Sequence, residues 1–217
     1  MDLFDKAPAQ PVIIAEGAIL LPNFIRHNEA QLTQDLTHIL SLSQLRNMVT
    51  PGGSAMSVAM TNCGSLGWVS DKKGYRYSAL DPNTGAPWQA MPASFLALAQ
   101  QAADIAGYTN FVPDACLINQ YQTGAKMSLH QDKDEQDFSQ PIVSVSLGCS
   151  ATFLFGGLNR TDKPIKILLN HGDVIVWGGK SRLNYHGIMP LKAANTLANG
   201  HSAFGTYRYN LTFRKAG

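Results

Sequence analysis

From Ala115 onward the chain offers eight short runs of strand-forming residues with no helix between them. They are Ala115–Tyr121, Met127–Asp132, Ile142–Gly148, Thr152–Phe155, Ile165–Leu169, Val174–Trp177, Tyr185–Met189 and Tyr207–Arg214. Turn residues bound them: Thr123-Gly124, Gly156-Gly157, His171-Gly172-Asp173 and Gly178-Gly179. Strands this short and this close pair antiparallel, and eight of them close into a sandwich or barrel, for which a jelly roll is a natural solution.

The first half frames that β region. Ala18–Leu21 reads as a strand. Between Asn28 and Leu45, Leu32, Leu36, Ile39 and Leu40 recur at helical spacing, with Asn28 placed to cap. Pro92–Ala106 reads as a second helix, with proline at its first turn and Gly107 just past its end. No linker composition divides the 217 residues, a length that suits one domain with a sizeable core. The expected class is therefore mainly β with flanking helices (α+β).

Met48–Ser78 differs from its surroundings. It mixes glycines with Met56, Met60, Trp68, Tyr75 and Tyr77, and predicts strands at Ser57–Asn62 and Tyr75–Ser78 joined by a loop carrying Lys72 and Lys73. Such a mixture suits a surface that grips a partner. An ordinary hairpin with core aromatics accounts for it equally well. Residues 1–11 read as a loose arm.

Composition removes several function classes. Hydrophobic residues make up 45 %, but no segment has the length of a membrane-spanning helix. The start lacks the basic-then-apolar pattern of a secretory leader. Cys63, Cys116 and Cys149 are odd in number and form no CxxC, so they read as free thiols of a reducing, cytoplasmic compartment. The net charge of +2 neither announces a polyanionic partner nor excludes one, because a local basic patch is enough.

His130-Gln131-Asp132 closes the alternating run Met127-Ser128-Leu129. On a strand, alternate side chains share a face, so an imidazole and a carboxylate point into one space. A histidine from elsewhere would complete the facial triad of a non-haem Fe(II) oxygenase. His186, in the apolar context Asn184–Ile188, is the candidate. His171-Gly172-Asp173 is a competing HxD, but its glycine sits between two apolar runs and predicts a hairpin turn. His27 and His38 lie in or beside a helix, and His201 in a polar loop. Other motifs fail on spacing. A calcium loop opening at Asp132 needs glycine and glutamate where the chain has Asp137 and Val143. A P-loop ending at Gly179-Lys180-Ser181 needs glycine where it has Val174.

The last run places Arg208, Asn210, Thr212 and Arg214 on one face and Tyr207, Tyr209, Leu211 and Phe213 on the other. Arg208 and Arg214 lie roughly 20 Å apart along an extended strand; side chains reaching about 7 Å inward leave about 6–7 Å, the length of a short dicarboxylate. Asn119 and Tyr121 share a face and add hydrogen-bonding groups.

HxD, a distant histidine and RxNxTxR on a closing strand together resemble the AlkB family of Fe(II)- and 2-oxoglutarate-dependent dioxygenases. MVTPGG (48–53), SVAMTNCG (57–64), PDACLIN (113–119), HQDKDE (130–135), PIVSVSLG (141–148), FGGL (155–158), HGDVIVWGG (171–179) and RYNLTFR (208–214) are similar to its bacterial members. The resemblance implies a double-stranded β-helix (jelly-roll) core at 91–217 with its leading helix. An arm, strand and helix at 1–47 and a nucleotide-recognition lid at 48–90 would complete a single domain.

It also implies Fe(II) held by His130, Asp132 and His186, with O2 as oxidant. 2-Oxoglutarate would be held by Asn119, Tyr121, Arg208, Asn210 and Arg214. Met60, Trp68, Tyr75, Lys133, Asp134 and Arg160 would line the substrate side, with Trp68 stacking the damaged base against His130. The implied reaction is oxidative demethylation of 1-methyladenine and 3-methylcytosine in single-stranded or flipped-base DNA, or in RNA, with release of formaldehyde by a monomer. Asp134 would favour a cationic ring, and Lys72, Lys73, Arg76, Lys126, Lys133 and Arg160 could meet phosphates. A nucleic-acid-binding barrel without catalysis, or an oxygenase of RNA or a small molecule, are the alternatives. Two departures stand out. Ser54 replaces a tyrosine of the bacterial members, and the loop 191–206 is longer and richer in Asn, Gly and Ser.

Overall fold

The computed structural model describes residues 10–193 and 203–217. His201, most of the N-terminal arm and much of the 191–206 loop lie outside them.

The elements run β1 (Val12–Ala15), β2 (Ala18–Leu21), α1 (Glu29–Leu42), β3 (Arg46–Val49), β4 (Ala55–Gly64), β5 (Gly67–Asp71), β6 (Gly74–Ser78) and α2 (Ala93–Ile105). Then come β7 (Ala115–Tyr121), β8 (Met127–His130), β9 (Ile142–Gly148), β10 (Ala151–Phe155), β11 (Ile165–Leu169), β12 (Val174–Trp177), β13 (His186–Ile188) and β14 (Arg208–Arg214). A major sheet has the order β1-β2-β12-β9-β14-β7-β4-β3, a minor sheet the order β11-β10-β13-β8, and β5-β6 stands apart as a hairpin. The pairings within all three sheets are antiparallel.

Alternation along the central strands builds three layers. On the outer face of the major sheet, Cys116, Ile118, Val143, Val145, Leu211 and Phe213 pack against Leu32, Leu36 and Ile39 of α1 and Phe95, Leu98 and Ala102 of α2. On the inner face, Leu117, Tyr121, Ile142, Ile175 and Trp177 meet Phe153, Phe155, Leu169 and Ile188 of the minor sheet. Each apolar side chain so buried contributes about 1.5–3 kcal/mol relative to exposure. Every residue of β9 and β14 is buried, yet Ser144, Ser146, Arg208, Asn210, Thr212 and Arg214 point inward with the second set. A buried strand does not carry that much polarity without partners for it, and these residues mark where the core gives way to a site.

Several boundaries differ from the sequence reading. The first helix stops at Leu42 rather than Leu45, because Ser43 turns extended and Arg46–Val49 pairs with β4. Arg46 is fixed there by a bidentate pair to Asp81 at 2.6 and 2.8 Å. Asn28 occupies the N-cap position but makes no side-chain capping bond. The stretch expected as a lid is split. Its β4 belongs to the major sheet, while β5, unanticipated as a strand, pairs with β6 around Lys72-Lys73. The metal-candidate strand ends at His130, two residues short of Asp132.

The competing HxD is a turn, as expected, but not a hairpin: β11 pairs with β10 in the minor sheet and β12 with β2 and β9 in the major one. Gly172 has φ +87°, His171 Nδ1 accepts from the Gly148 amide, and Asp173 accepts from the amides of Asn23 and Asn170. All three cysteines are free and buried. Among the described residues no helix is long and apolar enough to cross a membrane.

Candidate active site

The two sheets splay around a cavity of about 640 Å³. At its floor His130, the last residue of β8, pairs directly with His186, the first of β13. Gly187 makes this possible: a Cβ there would sit 2.6 Å from the Met127 carbonyl oxygen, so only glycine lets β13 approach β8 this closely. The imidazole centroids lie 4.4 Å apart. Asp132 reaches both, with Oδ1 3.6 Å from His130 Nε2 and Oδ2 3.8 Å from His186 Nε2. One ligand atom from each residue falls within 4.8 Å of the others.

The ring orientations suit a metal. His130 Nδ1 donates to the Ser128 carbonyl at 2.9 Å and His186 Nδ1 to the Asn184 carbonyl at 3.0 Å. A carbonyl only accepts, so each Nδ1 carries the proton and each Nε2 presents a lone pair toward the partner ligands.

Strand alternation does not by itself place Asp132. Arg214 donates from Nε and Nη2 to Asp132 Oδ2 at 2.9 and 2.6 Å, and Arg182 Nη1 donates to its backbone carbonyl at 2.8 Å. Gln131, between the two ligands, donates to the Leu183 carbonyl at 2.6 Å. Burial alone would raise the Asp132 carboxyl, but Arg214, His186 and His130 together hold it well below the usual carboxylate range. Burial, reinforced by the neighbouring His130, lowers His186 to about 4.

A histidine whose folded pKa is depressed favours the native state most above its ordinary value of 6.5 and loses that advantage as pH falls. The metal-free protein should therefore lose up to about 3 kcal/mol between about pH 6.5 and 4. Urea unfolding of wild type and His186→Gln at pH 7 and 4.5 checks this. The substitution should flatten the drop, and equal slopes would remove His186 as its source.

One wall of the cavity is polar and comes from β7, β9 and β14. Arg208 is 1 % exposed; its Nη2 donates to Ser146 Oγ at 3.1 Å and its guanidinium lies 5.0 Å over the Tyr121 ring. Among the described residues its Nε and Nη1 have no hydrogen-bond partner, nor has Asn119 Oδ1. Asn210 donates to Ser144 Oγ and the Val145 carbonyl. Buried guanidinium N–H groups without partners are costly. They suit a carboxylate group, which matches the planar donor fork. The two inward arginines are not equivalent, since Arg214 is already engaged by Asp132.

The opposite wall is aromatic. Trp68 and Tyr75 stack across the hairpin, with centroids 5.6 Å apart and planes at 15°. Trp68 Nε1 donates to Asp134 Oδ2 at 2.8 Å. The backbone of Trp68 is held by one side chain. Asn62, fully buried on β4, accepts from its amide and donates to its carbonyl, both at 3.0 Å. Met60, Lys133 and Arg160 reach the same cavity, so all fourteen residues singled out from the sequence line it. Of the other basic candidates Lys126 also lines it, whereas Arg76 is engaged by Asp71 at 2.8 and 2.9 Å. Ser54 sits exposed in the turn before β4, with its amide on Thr50 Oγ1.

Several supporting residues escape sequence reasoning. Ser144 and Ser146 had a signal, being the inward positions of an otherwise apolar strand. Asn62, Gln131, Glu135 and Arg182 had none, because Asn62 holds a backbone and the partners of the other three are remote in the sequence.

Two histidines and a carboxylate inside two facing antiparallel sheets, beside a buried guanidinium, suit a non-haem iron oxygenase with a carboxylate-bearing cosubstrate. The family model of the 2OG-Fe(II) oxygenase superfamily matches residues 17–214. The chain is 56 % identical over 217 residues to the alpha-ketoglutarate-dependent dioxygenase AlkB of Escherichia coli (strain K12), covering all of this chain and 98 % of that one. It belongs to the AlkB family and is an Fe(II)- and 2-oxoglutarate-dependent dioxygenase. It is also 29 % identical over 224 residues to the DNA N(6)-methyladenine demethylase ALKBH1C of Arabidopsis thaliana, spanning 94 % of this chain and 49 % of that one. The solved structure of OsALKBH1 superposes with a TM-score of 0.80 at 29 % identity, over 95 % of this chain and all of that one.

Proposed function

We propose that the enzyme removes N-alkyl groups oxidatively from nucleic-acid bases, with 1-methyladenine and 3-methylcytosine in single-stranded or flipped-base DNA as preferred substrates and RNA as a further one. The carrying observation is the stacked Trp68–Tyr75 pair beside the Asp134 carboxylate, in the same cavity as the triad. The name of the Arabidopsis relative supports a methylated base as the class of substrate.

In this reading His130, Asp132 and His186 hold Fe(II) through Nε2, a carboxylate oxygen and Nε2. Arg208 takes one carboxylate of 2-oxoglutarate on its unpartnered Nε and Nη1, with Tyr121 beneath the guanidinium. Asn119, Asn210 and Arg214 complete that wall. When bound, Fe(II) and 2-oxoglutarate supply, with O2, a decarboxylation to succinate coupled to hydroxylation of the N-alkyl carbon, which then leaves as an aldehyde.

The chain's own part is selection and orientation. A base methylated at N1 of adenine or N3 of cytosine is cationic and pairs poorly, so it is cheap to extrude. Trp68 and Tyr75 offer it a stacking face, Asp134 a negative charge, and Met60 an apolar contact near the metal. Lys133 and Arg160 at the rim meet phosphates. Residues 48–90 act as the recognition lid of a single domain, working as a monomer in the cytoplasm.

Trp68→Ala should weaken binding of a methylated oligonucleotide by about 10–100-fold, the worth of one base–aromatic stack, and leave metal binding unchanged. Fluorescence anisotropy measures this, and equal affinity would make the indole a packing residue only. The function itself is tested with Fe(II), 2-oxoglutarate and oligonucleotides carrying single N-methyl lesions, in DNA and RNA. Loss of one methyl by mass, matched by succinate, is expected. Turnover of 2-oxoglutarate that no lesion stimulates would overturn it.

A further inference from the structure

Glu135 belongs to the loop after the metal strand, and its side chain is only 2 % exposed. Three side chains from separate parts of the fold converge on it. Tyr77 of β6 donates its hydroxyl to Oε1 at 2.6 Å, and Arg182, four residues before His186, donates Nη2 to Oε2 at 3.0 Å. Arg214 Nε of β14 lies 3.4 Å from Oε1. None of the roles assigned above to iron, cosubstrate or base calls for this carboxylate. A charge is not kept in such a place without an excellent set of partners.

The partners lead in two directions. Arg214 is shared: the Nε that faces Glu135 also donates to Asp132 Oδ2 at 2.9 Å. Tyr77 stands directly across the hairpin from Trp68. One carboxylate thus touches both the cation that neutralises the metal-binding aspartate and the strand opposite the stacking indole. Arg182 fixes it in place, since the same guanidinium holds the Asp132 and Gln140 carbonyls at 2.8 and 3.0 Å.

We propose that Glu135 is a positioning residue that couples the β5–β6 hairpin to Asp132 by competing with it for Arg214. This rests on the reading of Asp132 as a metal ligand and of the hairpin as the base-recognition element. The competition sets a sign. With Glu135 neutralised, Arg214 falls wholly onto Asp132, and the aspartate offers less charge to a metal. With the Tyr77 hydroxyl removed, Glu135 Oε1 keeps, among the described residues, only Arg214 as a partner and draws it toward itself, and Asp132 offers more. A residue that merely propped the loop would weaken the metal site in both cases.

Titration of the full-length protein with Co(II), followed by its visible absorption, reads the metal affinity directly and needs no turnover. Glu135→Gln should weaken Co(II) binding about 10-fold, the scale of an outer partner of a metal ligand. Tyr77→Phe should tighten it by about threefold, a smaller change because it acts through one further residue. Ser70→Ala, which frees the hairpin from the Val49 carbonyl on its other side, should leave it unchanged. Weaker or unchanged binding in Tyr77→Phe would overturn the coupling, and so would unchanged binding in a folded Glu135→Gln. If Glu135→Gln does not fold, the direction of the Tyr77→Phe shift decides alone. Asp132→Ala separates the two readings: Co(II) binding that survives it would refute the triad itself.

Discussion

Asp132→Ala is expected to abolish turnover and to lower metal affinity by more than about 100-fold, beyond the upper end of what outer partners of a metal ligand cost. The expectation follows from geometry. The two imidazole centroids lie 4.4 Å apart with their planes tilted by 52°, and Asp132 reaches both Nε2 atoms. Two neutral nitrogens on one side do not replace an anionic oxygen for a divalent cation such as Fe(II). The substitution also strips Arg214 of its short contacts, and leaving one member of a buried pair alone costs about 3–5 kcal/mol. Glu135, at 3.4 Å from Arg214 Nε, limits that loss. Circular dichroism establishes that the variant is folded, and succinate release and metal content are then measured. Full activity from a folded variant would refute the triad.

Arg208→Ala carries the second large effect. The guanidinium is almost wholly buried, burial lowers its pKa, and two of its three nitrogens have no partner. A carboxylate bound there gains two charge-assisted hydrogen bonds of about 1.5–3 kcal/mol each. Their loss should raise the 2-oxoglutarate KM by about 100-fold or more, at 1.4 kcal/mol per tenfold. Arg208→Lys should recover little, because an ammonium lacks the planar fork. Co(II) affinity should not change in either variant, which separates this effect from damage at the triad. An unchanged KM would remove Arg208 from the cosubstrate site.

How much of this could be read in advance depended on whether a residue's partners were local. The alternation of β14 was legible because the strand is central and buried on both faces, so polar residues at every second position stood out. The turn at Gly172 was legible because glycine between two apolar runs has few other uses. Of the β5–β6 hairpin only the second strand was legible, because β5 depends on Asn62 of another strand for its anchorage. His130 and Asp132 were found together for a reason that holds only in part. Their spacing suggested one strand face, but the strand ends at His130, and Asp132 is set by Arg182 and Arg214 from 50 and 82 residues away. Glu135 was visible only as the last charge of HQDKDE. Its burial is a property of three partners that no local pattern brings together.

The unpartnered donors of Arg208 bear on more than affinity. A ligand that binds the native chain and not the unfolded one adds to native stability with the logarithm of its concentration. 2-Oxoglutarate held at Arg208 would give partners to N–H groups that the described residues leave buried and unpaired, and would so act as a folding ligand as well as a reactant. Resistance to proteolysis should therefore rise with the concentration of 2-oxoglutarate.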